Sequence, residues 1–522
     1  MSFRFFEKFS NNIIFFYPGD DMAAFHLFFQ NLTFYYESSL NPLFENLNLT
    51  FSKGYTGIVG KNGSGKTTLL KLATGLLEPI DGNVTTSKKV IYCSQITDFH
   101  PVKFKDFLEC QDGFSNKLKG ILKITNDWLF NWNHLSHGQR KRCQIATALW
   151  QEPEILALDE PTNHLDHQTK ELLLRALKEF KGVGLIVSHD RDLLDDLTHQ
   201  CLFIDQGEAV MRPGNYSKGL EDDKQENQAK KNQYENVKKE YQKLNREKKR
   251  RKHIASQQDK KNSKKNLAKK DHDAKAKIDL ARLTGKDGVA GKLLKQMQSR
   301  VDQLKDKLDS IQYKREGRLG IWIEGSFSRK NLLFDLKSKT IQYDSYQCLY
   351  PDLSMLPQDR VALTGPNGTG KSVLINEILT HLNISEEKLL YIPQEISQEE
   401  TKHIKNRLQK LSNTDLGKIM IIISHLGSDP KSVLSSENYS PGEVRKILIA
   451  LGILKEPHLI ILDEPTNHLD IYAIECLENA LKECPCGLLL VSHDQRFLKT
   501  LTRIHWSIYH SDQKNSFELV IN

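Results

Sequence analysis

The eight-residue string DEPTNHLD occurs twice, at Asp159–Asp166 and Asp463–Asp470, 304 residues apart. VSHD recurs at the same offset, at Val187–Asp190 and Val491–Asp494. So do the serines of LSHGQ (Ser136) and YSPGE (Ser440). The lysines of two glycine-rich loops, Lys66 and Lys371, differ by 305. An ordered set of motifs repeated almost without insertion means two copies of one domain. At 522 residues the chain has room for both, each with its own core. The expected division is a lead at 1–21, one copy at 22–219, a linker at 220–318 and a second copy at 319–522.

The linker differs in character. From Glu221 to Arg318 it carries 30 Lys+Arg against 16 Asp+Glu, a net of +14 in a chain of +8, which leaves −6 for the rest. Tyr234, Val237, Tyr241 and Leu244 are spaced 3, 4, 3. Leu294, Met297, Val301, Leu304, Leu308 and Ile311 continue the same heptad rhythm. Two such stripes flanking a polar stretch predict an antiparallel helical hairpin with a zipped base. Its tip is expected near Lys264 to Lys275, with Lys264, Lys265, Lys269 and Lys270 too charged to bury.

Each copy contains a phosphate loop. The first runs Gly60, Lys61, Asn62, Gly63, Ser64, Gly65, Lys66, Thr67, then Thr68, after the apolar strand Thr56 to Val59. The second runs Gly365, Pro366, Asn367, Gly368, Thr369, Gly370, Lys371, Ser372, then Val373, after Arg360 to Leu363. Both match G-x-x-x-x-G-K-[ST] between a strand and a helix, the context in which backbone N–H groups close around phosphate. Lys66 and Lys371 are placed to reach the β and γ phosphates, and Thr67 and Ser372 to put a hydroxyl on Mg²⁺. Each copy also has an apolar strand ending in two acids, Asp159-Glu160 and Asp463-Glu464. The first acid suits the Mg²⁺ shell and the second suits polarising the attacking water. His189 and His493 end later apolar strands and could bond the γ-phosphate. A lone histidine there is more often structural; these two gain weight from the repeat.

The order phosphate loop, Gln95, LSHGQ, DEPTNHLD, VSHD resembles that of ATP-binding-cassette ATPases, and the second copy repeats it with Gln394 and YSPGE. The resemblance implies an α/β fold of two tandem P-loop cassettes joined by an α-helical coiled-coil hairpin. It also implies that the cassettes pack head to tail, so that each ATP lies between one phosphate loop and the other cassette's signature. One site would then join Lys66, Thr67, Gln95, Asp159, Glu160 and His189 to Ser440, Gly442 and Glu443. The other would join Lys371, Ser372, Gln394, Asp463, Glu464 and His493 to Ser136, Gly138 and Gln139. Gln95 and Gln394 would complete the Mg²⁺ shells, and Tyr36 and Tyr343 sit where the family stacks adenine. His137 and Pro441 replace the middle glycine of the usual LSGGQ, while the flanking Ser and Gly remain in both.

Cassettes more often drive transporters, so that is the alternative: a soluble ATPase subunit working with a membrane partner. No apolar run in the sequence is long enough to cross a bilayer. The run Met420 to Ile423 reads as a buried strand. Glu7, Asn11, Asn12 and Asp20 break any signal-peptide core, so residues 1–21 are expected to be a disordered lead, with Met22 an alternative start. The eight cysteines lack a zinc-like arrangement and read as reduced thiols in a cytoplasmic protein.

Tandem cassettes with a +14 hairpin between them closely resemble the ABC-F proteins, and the linker string from Asp271 to Asp287 is similar to bacterial members. That resemblance implies ribosome binding (rRNA and tRNA), with the hairpin reaching toward P-site tRNA and the peptidyl-transferase centre. A cationic rod suits a phosphate-lined groove on physical grounds as well. A housekeeping translational role and antibiotic-resistance ribosome protection both remain open. DNA is not expected as a partner, since the long coiled coils or zinc hooks of DNA-directed cassette proteins are missing from the sequence. One chain should supply its own cassette pair as a monomer.

Overall fold

The computed structural model describes residues 27–37, 41–86, 89–205, 207–261, 286–311, 326, 328–343, 346–436, 439–511 and 516–522. The lead at 1–21, Met22, the linker string from 271 to 285, and the tip from Lys264 to Lys275 with its four lysines fall outside them. Two compact units are formed: Met1–Gly219 with Leu319–Asn522, and Leu220–Arg318.

In the first unit the duplication is visible in the strands. The first half supplies β1 (Leu27–Phe34), β2 (Phe44–Phe51), β3 (Gly54–Gly60), β4 (Asp81–Thr85), β5 (Val90–Cys93), β6 (Ile155–Asp159), β7 (Val183–Val187), β8 (Thr198–Asp205) and β9 (Glu208–Pro213). The second half supplies β10 (Phe334–Leu336), β11 (Lys339–Tyr343), β12 (Tyr346–Tyr350), β13 (Leu353–Met355), β14 (Arg360–Thr364), β15 (Leu389–Ile392), β16 (Leu459–Asp463), β17 (Gly487–Val491), β18 (Ile504–His510) and β19 (Ser516–Ile521).

The main sheets run β5-β6-β7-β3-β8-β9 and β15-β16-β17-β14-β18-β19, the same order twice. In each, every pairing is parallel except the last, which is antiparallel. Strands of a parallel sheet are covered on both faces, so they read as unbroken apolar runs. All five residues are buried in β6, β7, β16 and β17. The period of two then divides them between layers. Ile460, Leu462, Leu488 and Leu490 enter one core of the second cassette, while Leu459, Ile461, Leu489 and Val491 enter the other.

The copies differ at one edge. The first cassette keeps a separate antiparallel sheet, β2-β1-β4. In the second, β12 pairs in parallel with β19, so the β11–β12 hairpin extends the main sheet and only β10–β13 stands apart.

Two expectations are corrected. Met420 to Ile423 is not a strand but part of the helix Asn413–His425, capped by Ser412, whose side chain accepts from the Asp415 N–H. Ile419, Ile422 and Ile423 are buried and Ile421 is 59% exposed, a helical face that four apolar residues in a row conceal. Cys484 and Cys486 are joined in a disulfide rather than reduced. Their Cα atoms lie 5.6 Å apart as the chain turns from the helix Ile471–Glu483 into β17, within disulfide reach. The other six cysteines are free.

The second unit contains helix Lys286–Ser310 and most of helix Tyr216–Lys261. Val237, Met297 and Val301 are 7%, 8% and 5% exposed. Tyr234, Tyr241, Leu244, Leu294, Leu304, Leu308 and Ile311 are half-buried, whereas Lys238, Lys239, Lys295 and Lys305 between them are exposed. The heptad positions are therefore the covered ones.

Candidate functional site

Both phosphate loops end on a glycine with left-handed backbone, Gly65 (φ 97°) and Gly370 (φ 87°), directly before the helices Lys66–Ala73 and Lys371–Thr380. A Cβ at Gly65 would lie 2.7 Å from the Phe44 ring, so both the turn and the packing demand glycine. Lys66 Nζ donates to the carbonyls of Gly60 (2.8 Å) and Lys61 (3.0 Å). Lys371 Nζ donates to those of Gly365 and Pro366, both at 2.9 Å. Each ammonium is thus held inside its loop. Burial lowers the pKa of both lysines, opposed by Glu160 for Lys66 and by Glu464 for Lys371.

The acids stand at the ends of β6 and β16. Ser372 Oγ donates to Asp463 Oδ2 at 2.8 Å, bringing a hydroxyl and a carboxylate together as hard oxygen donors of the kind Mg²⁺ takes. Asp159 Oδ2 instead accepts from the Tyr92 hydroxyl at 2.9 Å. Glu160 (φ 45°) and Glu464 (φ 49°) are held in the left-handed region, a strain of about 1–3 kcal/mol that clusters at functional positions. Their Oε2 atoms accept from the backbone N–H of His189 (3.2 Å) and His493 (3.3 Å). Their Oε1 atoms are buried with no hydrogen bond, although imidazole Nε2 lies 3.2 Å away at His189 and 3.4 Å at His493. Burial pushes the Glu160 carboxyl up to about 8 and that of Glu464 up to about 7, with Lys66 and Lys371 pulling the other way. Burial also pushes His189 well below, and His493 to about 3, so both imidazoles are neutral. A buried acceptor without a donor at each strand end fits a site that receives water or an ion.

The first cassette's loop and acids meet the second cassette's signature. A cleft of about 840 Å³ is lined by Tyr36, Asn62, Gly63, Gly65, Lys66, Thr67, Thr68, Gln95, Asp159, Glu160 and His189 from the first cassette and by Ser440, Gly442 and Glu443 from the second. The Tyr36 hydroxyl lies 2.8 Å from Thr68 Oγ1, and its ring is 43% exposed. A Cβ at Gly442 would lie 2.6 Å from the His468 carbonyl oxygen, which accounts for glycine there. On the opposite side, Asn367 Nδ2 donates to the His164 carbonyl at 3.2 Å and Asn367 Oδ1 lies 2.9 Å from His493 Nε2. Ser136 caps the helix His137–Trp150, and Gln139 completes its capping box. Tyr343 closes β11, and Gln394 lines a cavity of about 670 Å³ with Arg445 and His468. Glu160, His189, Glu464 and His493 share a further cavity of about 460 Å³.

Sequence reasoning missed the residues that join the halves. Asp470 Oδ2 accepts from the Asn62 N–H at 2.9 Å while its Oδ1 caps its own helix, accepting from Ala473 N–H at 2.8 Å. Asn62 Nδ2 also reaches the His468 carbonyl at 3.1 Å. Asp166 repeats the pattern, accepting from Thr169 N–H at 2.9 Å and from the Asn367 backbone. Both aspartates close the DEPTNHLD strings, and the repeat itself was the signal. Lys446 lines the cleft too, 3% exposed, with Nζ 3.1 Å from Ser428 Oγ. Farther from the loops, Arg191 pairs with Glu478 and Asp494, both at 3.1 Å, and Arg496 pairs with Asp192 and Asp195.

Two phosphate loops, two strand-end acid pairs and a cleft closed by the opposite cassette's signature define a tandem ATP-binding-cassette ATPase. The ABC transporter family model matches residues 44–163 and 351–467. Over nearly the whole chain it is similar to the ribosome protection protein VmlR of Bacillus subtilis, at 27% identity, covering 90% of this chain and 84% of that protein. It is 29% identical to the ATP-binding protein Uup of Buchnera aphidicola (88% and 76% covered). It is 26% identical to the erythromycin resistance ATP-binding protein MsrA of Staphylococcus epidermidis (86% and 91% covered). Among solved structures it shares the fold of an archaeal ribosome recycling factor, aABCE1, crystallised with a ribosomal stalk protein. There the TM-score is 0.57 at 17% identity, over 94% of this chain and 89% of that one. The chain thus carries two ABC transporter domains in tandem, and the relatives it resembles are ABC-F type proteins.

Proposed function

We propose that this ATPase binds the ribosome and couples closure of its cassettes on ATP to the placing of the basic hairpin near P-site tRNA and the peptidyl-transferase centre. One observation carries the reading: a +14 linker joins two cassettes whose remainder is acidic, in a chain similar over 90% of its length to a ribosome protection protein. Phosphate neutralisation by such an element releases counterions and drives association with RNA. Among the described residues no helix is long and apolar enough to cross a membrane. We further propose a monomer working in the cytoplasm, divided at 22–219, 220–318 and 319–522.

Within the sites, the Gly60–Thr67 and Gly365–Ser372 loops would cradle the phosphates, Tyr36 and Tyr343 would stack on adenine, and the opposite signature would close on the γ-phosphate. Thr67, Gln95 and Asp159, and likewise Ser372, Gln394 and Asp463, would hold Mg²⁺. Such an ion neutralises and orients the β and γ phosphates. Glu160 and Glu464 would each turn the free Oε1 toward the attacking water, while His189 and His493 would donate to the γ-phosphate as neutral imidazoles.

The test is cosedimentation with purified ribosomes of the Glu160→Gln, Glu464→Gln double variant in ATP. The variant is expected in the ribosomal pellet with ATP and not with ADP. A protein that stays in the supernatant in both would overturn the reading and send the search to a membrane partner.

A further inference from the structure

The two signature serines sit in unlike surroundings. Each accepts the backbone N–H three residues on, from Gln139 to Ser136 Oγ at 3.2 Å and from Glu443 to Ser440 Oγ at 3.3 Å. Each capping side chain answers in kind. Gln139 Oε1 accepts from the Ser136 N–H and Glu443 Oε2 from the Ser440 N–H, both at 2.8 Å. There the likeness ends. Glu443 Oε2 also accepts the hydroxyl of Ser440, at 2.8 Å. Ser136 and Gln139, both described, make no such bond between their side chains.

A serine hydroxyl has one proton to donate. Both Ser440 and Glu443 line the cleft that holds Lys66, Thr67 and Asp159. We infer that Glu443 weakens the grip of the Lys66 site on the terminal phosphate of ATP, so that the two sites of one molecule bind ATP unequally and the Lys371 site is the tighter. This rests on reading the cleft as a composite ATP site. To bond the γ-phosphate, Ser440 must withdraw its proton from a carboxylate, a charge-assisted bond and among the stronger kinds. Once released, that carboxylate remains in the cleft as a like charge facing the phosphate. Lys446 does not cancel it, because its ammonium also lies 4.0 Å from Asp470 Oδ2 and answers to both acids. In the other signature a neutral amide fills the same role in the cap, so Ser136 keeps its proton for the nucleotide. Glu443 is thus a positioning residue, acting through Ser440.

The comparison is made in protein blocked for hydrolysis by Glu160→Gln and Glu464→Gln, with one site removed by Lys371→Ala. Titration calorimetry with ATP and with ADP then reads the Lys66 site alone. Glu443→Gln should tighten ATP binding by about tenfold, the scale of one hydrogen bond to a charged group. ADP affinity should stay within about twofold, since ADP offers no terminal phosphate to Ser440. In the complementary Lys66→Ala protein, Gln139→Glu should weaken ATP by a similar factor. Unchanged ATP affinity in both arms, or equal shifts for ATP and ADP, would overturn the inference. If the Lys66 site binds no ATP either before or after Glu443 is altered, it is the composite-site reading that fails. Should Glu443→Gln lower the melting temperature, the Gln139→Glu arm decides alone.

Discussion

The backbone N–H of Asn62 donates to Asp470 Oδ2 at 2.9 Å, joining residues 408 positions apart. The same carboxylate caps the helix Ile471–Glu483, so one buried side chain serves the second cassette's own structure and the first cassette's phosphate loop at once.

The two duties of Asp470 should separate on substitution. Asparagine is as good an N-cap as aspartate, whereas alanine at such a position costs about 1 kcal/mol. Asp470→Asn is therefore expected to unfold in urea at nearly the wild-type midpoint, and Asp470→Ala earlier. Both should lose ATPase activity by about tenfold, the scale of a lost bond to a charged group. Wild-type turnover in both variants would show that the bond across the halves is dispensable.

Glu160→Gln together with Glu464→Gln leaves the loops and the Asp159 and Asp463 carboxylates untouched. ATP binding should persist while phosphate release falls by at least about a hundredfold, the usual worth of a positioned acid or base. Steady-state phosphate release near the wild-type rate would remove both glutamates from the chemistry.

A composite site predicts which substitutions share a target. Ser440→Arg and Lys66→Ala fall on one cleft, so combining them should cost little more than either alone. Ser136→Arg with Lys66→Ala falls on two sites and should be far more damaging. ATP binding measured across the three single and two double variants checks this, and full additivity in the first pair would argue against shared lining.

In the linker, burial grades the outcome. Val301 is 5% exposed and Leu304 only half-buried, so a buried unpaired charge at Val301→Asp should melt the linker helices more than Leu304→Asp does. Helical circular dichroism of each full-length variant reads the difference. Replacing Lys264, Lys265, Lys269 and Lys270 by Gln should leave ATPase activity intact and flatten the salt dependence of ribosome binding.

Sequence was most legible where function occupies contiguous residues. Phosphate loops, strand-end acids and signature caps are local, because a strand-turn-helix or an N-cap is set within a few positions. The halves' mutual grip was not legible, since Asn62 and Asp470 carry no mark of each other along the chain. Met420 to Ile423 misled because a short run of apolar residues suits a buried strand and a covered helix face equally. Cys484 and Cys486 were read from compartment rather than geometry, and the turn between helix and strand determines their approach. The differing sheet edge was hidden too, as β12 pairs with β19, more than 160 residues downstream.

Both cassettes fold into one compact unit although residues 220–318 intervene between them, so the chain leaves that unit and comes back to it. Separately encoded halves would have to find each other by diffusion each time they parted. Tethered halves re-engage as an intramolecular event, at an effective concentration that the length and stiffness of the link set. Halves that part therefore never dilute away from each other. The occupancy of the cleft should track the nucleotide and not the amount of protein, however few copies are present.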